Sequence, residues 1–267
     1  MVGFDLETTG VDRFVDVPVA FALVRVNAGR LVSTSAELVD AGRRVPAGAT
    51  AVHGITTAQV RATGIPLATA VAYLAAELIS ASARGVPVVG MKLDYDLTML
   101  DVLHRRLFGS SLWERGFRGP VLDVLVLDRH LDRFRRGKRT LVDLCAEYRV
   151  ALERAHDATA DARAAAEVVA AMCQRFPELG QWTLHELHAL QGCWHREWAT
   201  SFAAWRNSKG LSPPDDVDAA WPIAVPAVRR RRWHRRLVER IVAGFTRAGV
   251  GSRRTGTCRQ PSASLGR

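Results

Sequence analysis

The sequence predicts an α/β fold: a five-stranded sheet flanked by helices, followed by a helical extension and a basic tail. Three observations predict it. Over residues 1–176 short apolar runs alternate with helix-like segments. Apolar residues make up 48% of the 267, enough to fill a core, and no run approaches the roughly 20 apolar residues of a membrane span. The charge is also unevenly distributed. The chain carries a formal +10, yet from Ala227 onward there are twelve Arg and one acidic residue, Glu239, which leaves 25 basic and 26 acidic residues before it. The body is near neutral and the basicity belongs to the tail.

Residues 2–6 read as a buried strand, with so little ahead of Val2 that an initiation site upstream is left open. Residues 17–26 and 30–39 read as two more strands around a turn at Asn27-Ala28-Gly29. Residues 67–83 carry apolar side chains at helical spacing until Gly85 breaks the pattern, and 87–90 form a short strand. A helix is expected over 95–107, a fifth strand over 120–125, and helices at about 140–149 and 158–175. Pro177 closes this domain, residues 1–176.

In residues 177–210, Leu184, Leu187, Leu190, Trp194, Trp198, Phe202 and Trp205 step by three or four, one face of a long amphipathic helix that packs on the domain or on a partner. A stacking platform for bases is the other reading of those rings. His185-Glu186-Leu187-His188 lacks one residue of the H-E-x-x-H zinc motif, which excludes a metalloprotease. Residues 211–226, rich in Pro and Asp, read as a linker. Residues 227–267 read as a disordered basic tail, either a phosphate grip through counterion release or an incidental end. Four scattered cysteines without C-x-x-C pairs speak against a zinc finger or disulfide framework, and with no signal-peptide pattern they suit a cytoplasmic protein.

The chemistry is carried by carboxylates. In Phe4-Asp5-Leu6-Glu7-Thr8-Thr9-Gly10, strand alternation sends Phe4 and Leu6 into the core and sets Asp5 and Glu7 side by side on the other face. Two adjacent carboxylates repel and resist burial, and a divalent cation with a taste for oxygen ligands resolves this. Gly90-Met91-Lys92-Leu93-Asp94-Tyr95-Asp96 puts two acids at a helix start, where the dipole alone would welcome them. His156-Asp157-Ala158-Thr159-Ala160-Asp161 opens an alanine-rich helix whose small residues allow close approach to the sheet. Each stretch taken alone has an ordinary structural explanation.

In this order the three resemble the exonuclease motifs of the DEDDh (DnaQ-like) family, which includes the proofreading epsilon subunit of bacterial DNA polymerase III. The resemblance extends to Val45-Pro46-Ala47-Gly48-Ala49-Thr50-Ala51-Val52-His53-Gly54-Ile55-Thr56 and to Arg139-Thr140-Leu141-Val142-Asp143-Leu144-Cys145, spanning residues 2–175. It implies a ribonuclease H-like mixed sheet and two Mg²⁺ or Mn²⁺ ions held by Asp5, Glu7, Asp96 and Asp161. His156 matches the general base, an imidazole suited to proton transfer near neutrality. Thr8 and Thr9 match residues that hold the 3′-terminal nucleotide. His53 falls in a segment near that nucleotide or closes the turn at Gly54.

Lys92 stands where the family usually has Asn, a cation that contacts the phosphate backbone, shifts substrate preference or weakens activity, and Asp94 is an added acid able to pair with it. The implied activity is 3′→5′ hydrolysis of single-stranded nucleic acid ends, DNA before RNA, with a DNA polymerase or a replication or repair protein as partner and no membrane. The alternatives are an RNA-directed exonuclease on the same fold and a nucleic-acid-binding module whose catalysis has decayed.

Overall fold

A computed structural model describes residues 1–211 and 217–224. Residues 1–224 form one compact unit. Its centre is a mixed sheet of six strands, β1 (Val2–Thr8), β2 (Pro18–Asn27), β3 (Arg30–Asp40), β4 (Ile65–Pro66), β5 (Val88–Gly90) and β6 (Val121–Asp123), in the order β4-β3-β2-β1-β5-β6. β1, β2 and β3 pair antiparallel, while β5 runs parallel to β1 and to β6. The added strand is the two-residue β4, parallel to the end of β3. No helix is long and apolar enough to cross a membrane among the described residues.

The period-2 reading of β1 holds on both faces. Val2, Phe4 and Leu6 join the core beneath α3 (Leu67–Ala83) and α4 (Leu93–Phe108), which contribute Leu74, Leu78, Leu97 and Leu100. Each such side chain removed from water contributes about 1.5–3 kcal/mol. The other face meets α7 (Ala158–Arg175), whose Ala158, Ala162 and Ala166 lie against Ala22, Val24 and Val26 of β2. Alanine leaves α7 no side chain to hold it off the sheet, so its backbone reaches β1. A Cβ on Gly3 would lie 2.2 Å from the Ala162 carbonyl oxygen.

Three short helices were not legible as such: α1 (Ala47–His53), α2 (Thr57–Thr63) and α5 (Val124–Leu131). The fifth strand ends at Asp123 rather than at 125, because the Asp123 carboxylate accepts the Leu125 and Val126 N–H groups and starts α5 there. α6 (Leu141–Tyr148) opens on a capping box at Thr140 and Asp143.

α8 (Leu184–Ser208) buries Leu187, Gln191, Trp194 and Ala199 against the domain. Gln191 covers the edge of β6 as a strand would, its Oε1 accepting the Asp123 N–H (2.8 Å) and its Nε2 donating to Val121 O (2.9 Å). In the segment read as a linker, residues 217–224 fold back on the domain. Trp221 packs between the two main cores, the Ala224 N–H donates to Thr98 Oγ1 at 2.8 Å, and Asp218 O meets His195 Nε2 at 2.7 Å. Cys145 and Cys173 are free thiols. The basic tail read over 227–267 lies outside the described residues.

Candidate active site

β1 carries Asp5 and Glu7 on the face toward α7, and α7 brings Asp161 to them. α4 begins beside the end of β5 with Asp96 in its first turn. Three segments thereby converge on one cleft of about 1080 Å³, lined by Asp5, Thr8, Lys92, Asp96, His156 and Asp161 among others. Ligand atoms of Glu7, His156 and Asp161 lie within 4.8 Å of one another. His156 also faces an adjoining groove, which Glu7 and His53 line.

The electrostatics are those of carboxylates forced together. Burial, and then the charges of Asp96, Asp161 and Glu7, hold the Asp5 carboxyl well above its usual range. Burial and the neighbouring Asp161 and Asp157 push Glu7 up to about 7. Asp96 is raised by burial and by Asp94, against the opposing hydrogen bond from the Leu6 backbone. Asp161 is raised by burial, and its Oδ1 is buried with no hydrogen-bond partner while Oδ2 accepts the His156 N–H at 3.1 Å. An orphaned carboxylate oxygen among three other acids fits a divalent cation, whose charge and oxygen preference remove both penalties. Among the described residues the ligand atoms close enough to share one ion are those of Glu7, His156 and Asp161, with the raised carboxyl of Asp5 as their electrostatic neighbour.

His156 is exposed on the lead-in to α7, with φ at 63°, a left-handed conformation that a β-carbon disfavours. The turn is fixed from both sides: Asp161 takes the His156 N–H, and the Asp157 carboxylate caps α7 through Thr159 and Ala160. The ring is thereby presented to the cleft. His53 closes its own turn, Nδ1 accepting the Ile55 N–H at 3.0 Å beside left-handed Gly54. Its Nε2 is buried without a well-aligned partner, and burial lowers its pKa.

The two threonines separate. Thr8 lines the cleft, its hydroxyl donating to Gly10 O at 2.7 Å. Thr9 turns away and is buried, its hydroxyl spent on Asp16 (2.7 Å) and on the Val17 N–H (3.2 Å). Thr9 therefore fixes the loop rather than facing the cleft.

Other residues that organise the site were not read from the sequence. The Tyr95 hydroxyl donates to Gly10 O at 2.6 Å and ties α4 to the loop after β1. Arg13 and Asp94 form a buried ion pair of 2.5 Å, which assigns the added acid a partner other than Lys92. Asp123 accepts the backbone N–H groups of Lys92 (3.2 Å) and Leu93 (2.9 Å) and thereby shapes the turn into α4. Arg139 lines the cleft while ion-paired to buried Asp128. Tyr95 and Arg139 lay within the quoted motifs; Arg13 and Asp123 gave no local signal.

Lys92 caps α4 in the left-handed region, φ 58° and ψ 44°. Asparagine tolerates that conformation better than a long aliphatic stem, which gives the usual Asn a backbone reason. Lys92→Asn is expected to raise stability by about 0.5–1 kcal/mol, a gain of a few degrees in Tm. A lower Tm in thermal unfolding would show that contacts of the lysine outweigh the strain.

The sequence matches the exonuclease family designated RNase T over residues 2–169. It is 27% identical over 190 residues to the PolC-type DNA polymerase III of Caldanaerobacter subterraneus subsp. tengcongensis, covering 71% of this chain and 13% of that protein. It is 36% identical over 129 residues to a DNA polymerase III subunit epsilon-like protein of Rhodobacter capsulatus, covering 47% and 17%. The chain thus spans under a fifth of the length of either relative. Among solved structures it resembles E. coli Exonuclease I in complex with a dT13 oligonucleotide, with a TM-score of 0.56, 21% identity and coverage of 67% and 42%. An Exonuclease I from Methylocaldum szegediense gives a TM-score of 0.52 at 24% identity over 66% and 40%. The structural likeness carries the ribonuclease H-like fold and the family match the lineage: this chain belongs to the DnaQ-like exonuclease family.

Proposed function

We propose that the chain hydrolyses the terminal phosphodiester at the 3′ end of single-stranded DNA, releasing nucleoside 5′-monophosphates. The observation that carries this reading is the convergence of Asp5, Asp96, Asp161 and His156 on one cleft, with ligand atoms of Glu7 within 4.8 Å of those of Asp161 and His156. Two divalent cations, Mg²⁺ or Mn²⁺, would be held by those four carboxylates. When bound, they supply charge for the scissile phosphate and acidity for the attacking water.

The chain's own groups do the rest. His156 takes the proton of that water, held over Asp161 by the turn that both residues build. Thr8, tied through Gly10 and Tyr95, offers a fixed edge for the terminal sugar. Lys92 offers a cation to the phosphate beyond it. His53 stands in the adjoining groove as a second polar contact for the terminal nucleotide. The polymerase III names of the relatives favour replication or repair as the setting, with a DNA polymerase as partner.

The test is digestion of a 5′-labelled strand, as DNA and as RNA, with Mg²⁺, Mn²⁺ or EDTA. A metal-dependent ladder shortening from the 3′ end on DNA is the expected result. A ladder on RNA alone would transfer the reading to an exoribonuclease. Cleavage of neither strand with binding intact would leave a binding module. His156→Ala is expected to lower kcat by roughly 10²–10⁴ while Mn²⁺ titration shows cation binding retained. Equal loss of cation affinity in His156→Ala and Asp161→Ala would refute this division of roles.

A further inference from the structure

Beside the carboxylate cleft, residues 132–140 and the outer half of α8 form a surface that the chemistry does not use. The loop is stapled from within. Asp128 is fully buried, accepts the Tyr148 hydroxyl at 3.0 Å, and ion-pairs with Arg135 (3.1 Å) and Arg139. Arg139 also donates to the carbonyls of Asp132 (2.6 Å), Arg133 (3.4 Å) and Arg135 (3.4 Å). Two of the loop's five cations are spent on this anchor. The remaining three, Arg133, Arg136 and Lys138, are exposed, and none takes part in an ion pair among the described residues. Between them Phe134 stands 88% exposed.

The surface continues from the cleft. Arg139 lines both the carboxylate cleft and a groove of about 490 Å³ shared by Arg133, Trp198 and Phe202. Along α8 the rings form a column: Trp198 and Phe202 at 5.3 Å and 13°, Phe202 and Trp205 at 5.7 Å and 18°. Arg129 lies 3.4 Å over the Trp198 ring, and at the far end Trp205 is 52% exposed. The inner half of α8 is accounted for by packing on the domain, but the Trp205 end is not. Like charges held together beside exposed rings are unfavourable in water and favourable against a polyanion whose bases can stack.

We propose that this surface is a track for the single strand lying 5′ to the scissile end, its phosphates along Arg133, Arg136 and Lys138 and its bases against Phe134 and Trp205. The proposal rests on the nuclease reading only for the direction of the strand. Single-stranded nucleic acid is the occupant because the surface is cationic, carries stackable rings and opens into the cleft.

The test compares the full chain with the R133A/R136A/K138A variant and with Trp205→Ala. Each is titrated by fluorescence anisotropy, in EDTA and over a salt series, with an oligothymidylate of about 20 nucleotides, longer than the roughly 4–16 that one such surface holds. Mg²⁺-dependent cleavage of that strand and of a trinucleotide is then followed. For the triple variant the expected Kd on the long strand rises ten- to a hundred-fold. Its salt slope falls by about two, at roughly 0.7 for each phosphate no longer neutralised. Trp205→Ala weakens binding about ten-fold with the slope unchanged. Trinucleotide cleavage stays at the wild-type rate in both.

Unchanged affinity and slope in both variants would overturn the track and free the surface for a protein partner. An equal loss on trinucleotide and long strand would also overturn it, by locating the damage in the cleft. A wild-type chain that cleaves neither substrate, yet loses long-strand affinity through these substitutions, would sustain the track and sink the nuclease reading. Cleavage with variant binding like the wild type would do the reverse.

Discussion

Asp5→Asn is expected to abolish strand shortening, by roughly 10³-fold or more, and to make the cation-free protein more stable. The rate loss follows if the cations contribute about 4 kcal/mol of transition-state stabilisation through ligands centred on Asp5, each 1.36 kcal/mol being tenfold. The gain in stability follows from the same crowding. Asp5 is raised by its burial and by Asp96, Asp161 and Glu7, and Glu7 is pushed up to about 7 from its ordinary 4.5. Between pH 4.5 and about 7 the folded chain keeps a proton on Glu7 that the unfolded chain has released. Stability in EDTA therefore falls as pH rises across that window. Removing one negative charge flattens the fall. A cation at about 100 times its Kd adds roughly 2.7 kcal/mol, or 5–10 °C in Tm, to the wild type and little to the variant. Calorimetry between pH 5 and 8, with EDTA or Mg²⁺, reads all three effects. A variant stabilised by Mg²⁺ as strongly as the wild type would remove Asp5 from the cation site.

The parts of this molecule legible in the sequence are those fixed by local periodicity. The alternation Phe4-Asp5-Leu6-Glu7 assigns one face to the core and one to the cleft, and the strand holds it so. The alanines after Asp161 forecast a helix pressed on the sheet, and the stepping of Leu187, Trp194 and Phe202 forecast α8. α1 and α2 escaped because seven residues hold too little of a 3.6-residue period to stand out. Asp123 escaped because one side chain ends a strand and begins a helix, and no pattern marks that double use. The Arg13–Asp94 pair and the Tyr95–Gly10 bond join residues 81 and 85 positions apart, separations on which a single sequence is silent. Motifs thus singled out the carboxylates, whereas the Arg13, Tyr95 and Asp123 contacts around them came only with the fold. Thr9 shows the limit most plainly: its motif position suggested a nucleotide contact, and its hydroxyl went to Asp16.

Gly3→Ala is expected to damage the site from the start of β1 without altering any group that faces the cleft. Gly3 lies on the same face of the strand as Asp5 and Glu7, directly beneath α7. The new Cβ would lie 2.2 Å from the Ala162 oxygen and 2.9 Å from its carbonyl carbon, backbone atoms that no rotamer change can move. Real carbon–oxygen contacts need about 3 Å or more, so α7 must retreat by roughly an ångström or β1 must bend. Overpacking of this kind costs about 1–3 kcal/mol, a fall in Tm of roughly 2–12 °C. The larger consequence lies one residue away. Ala162 follows Asp161, so the shift that relieves the clash carries the carboxylate away from Asp5 and Glu7. A misplacement of about 1 Å can cost 10²-fold in rate, and cation affinity should fall with it. Leu74→Ala, in the core on the opposite side of the sheet, supplies the comparison: it should cost about 2–5 kcal/mol yet keep its activity at temperatures where it stays folded. If Gly3→Ala cleaves and binds Mn²⁺ as well as Leu74→Ala below both melting transitions, the close approach of α7 serves packing alone. If it is folded but inactive, that approach is what positions Asp161.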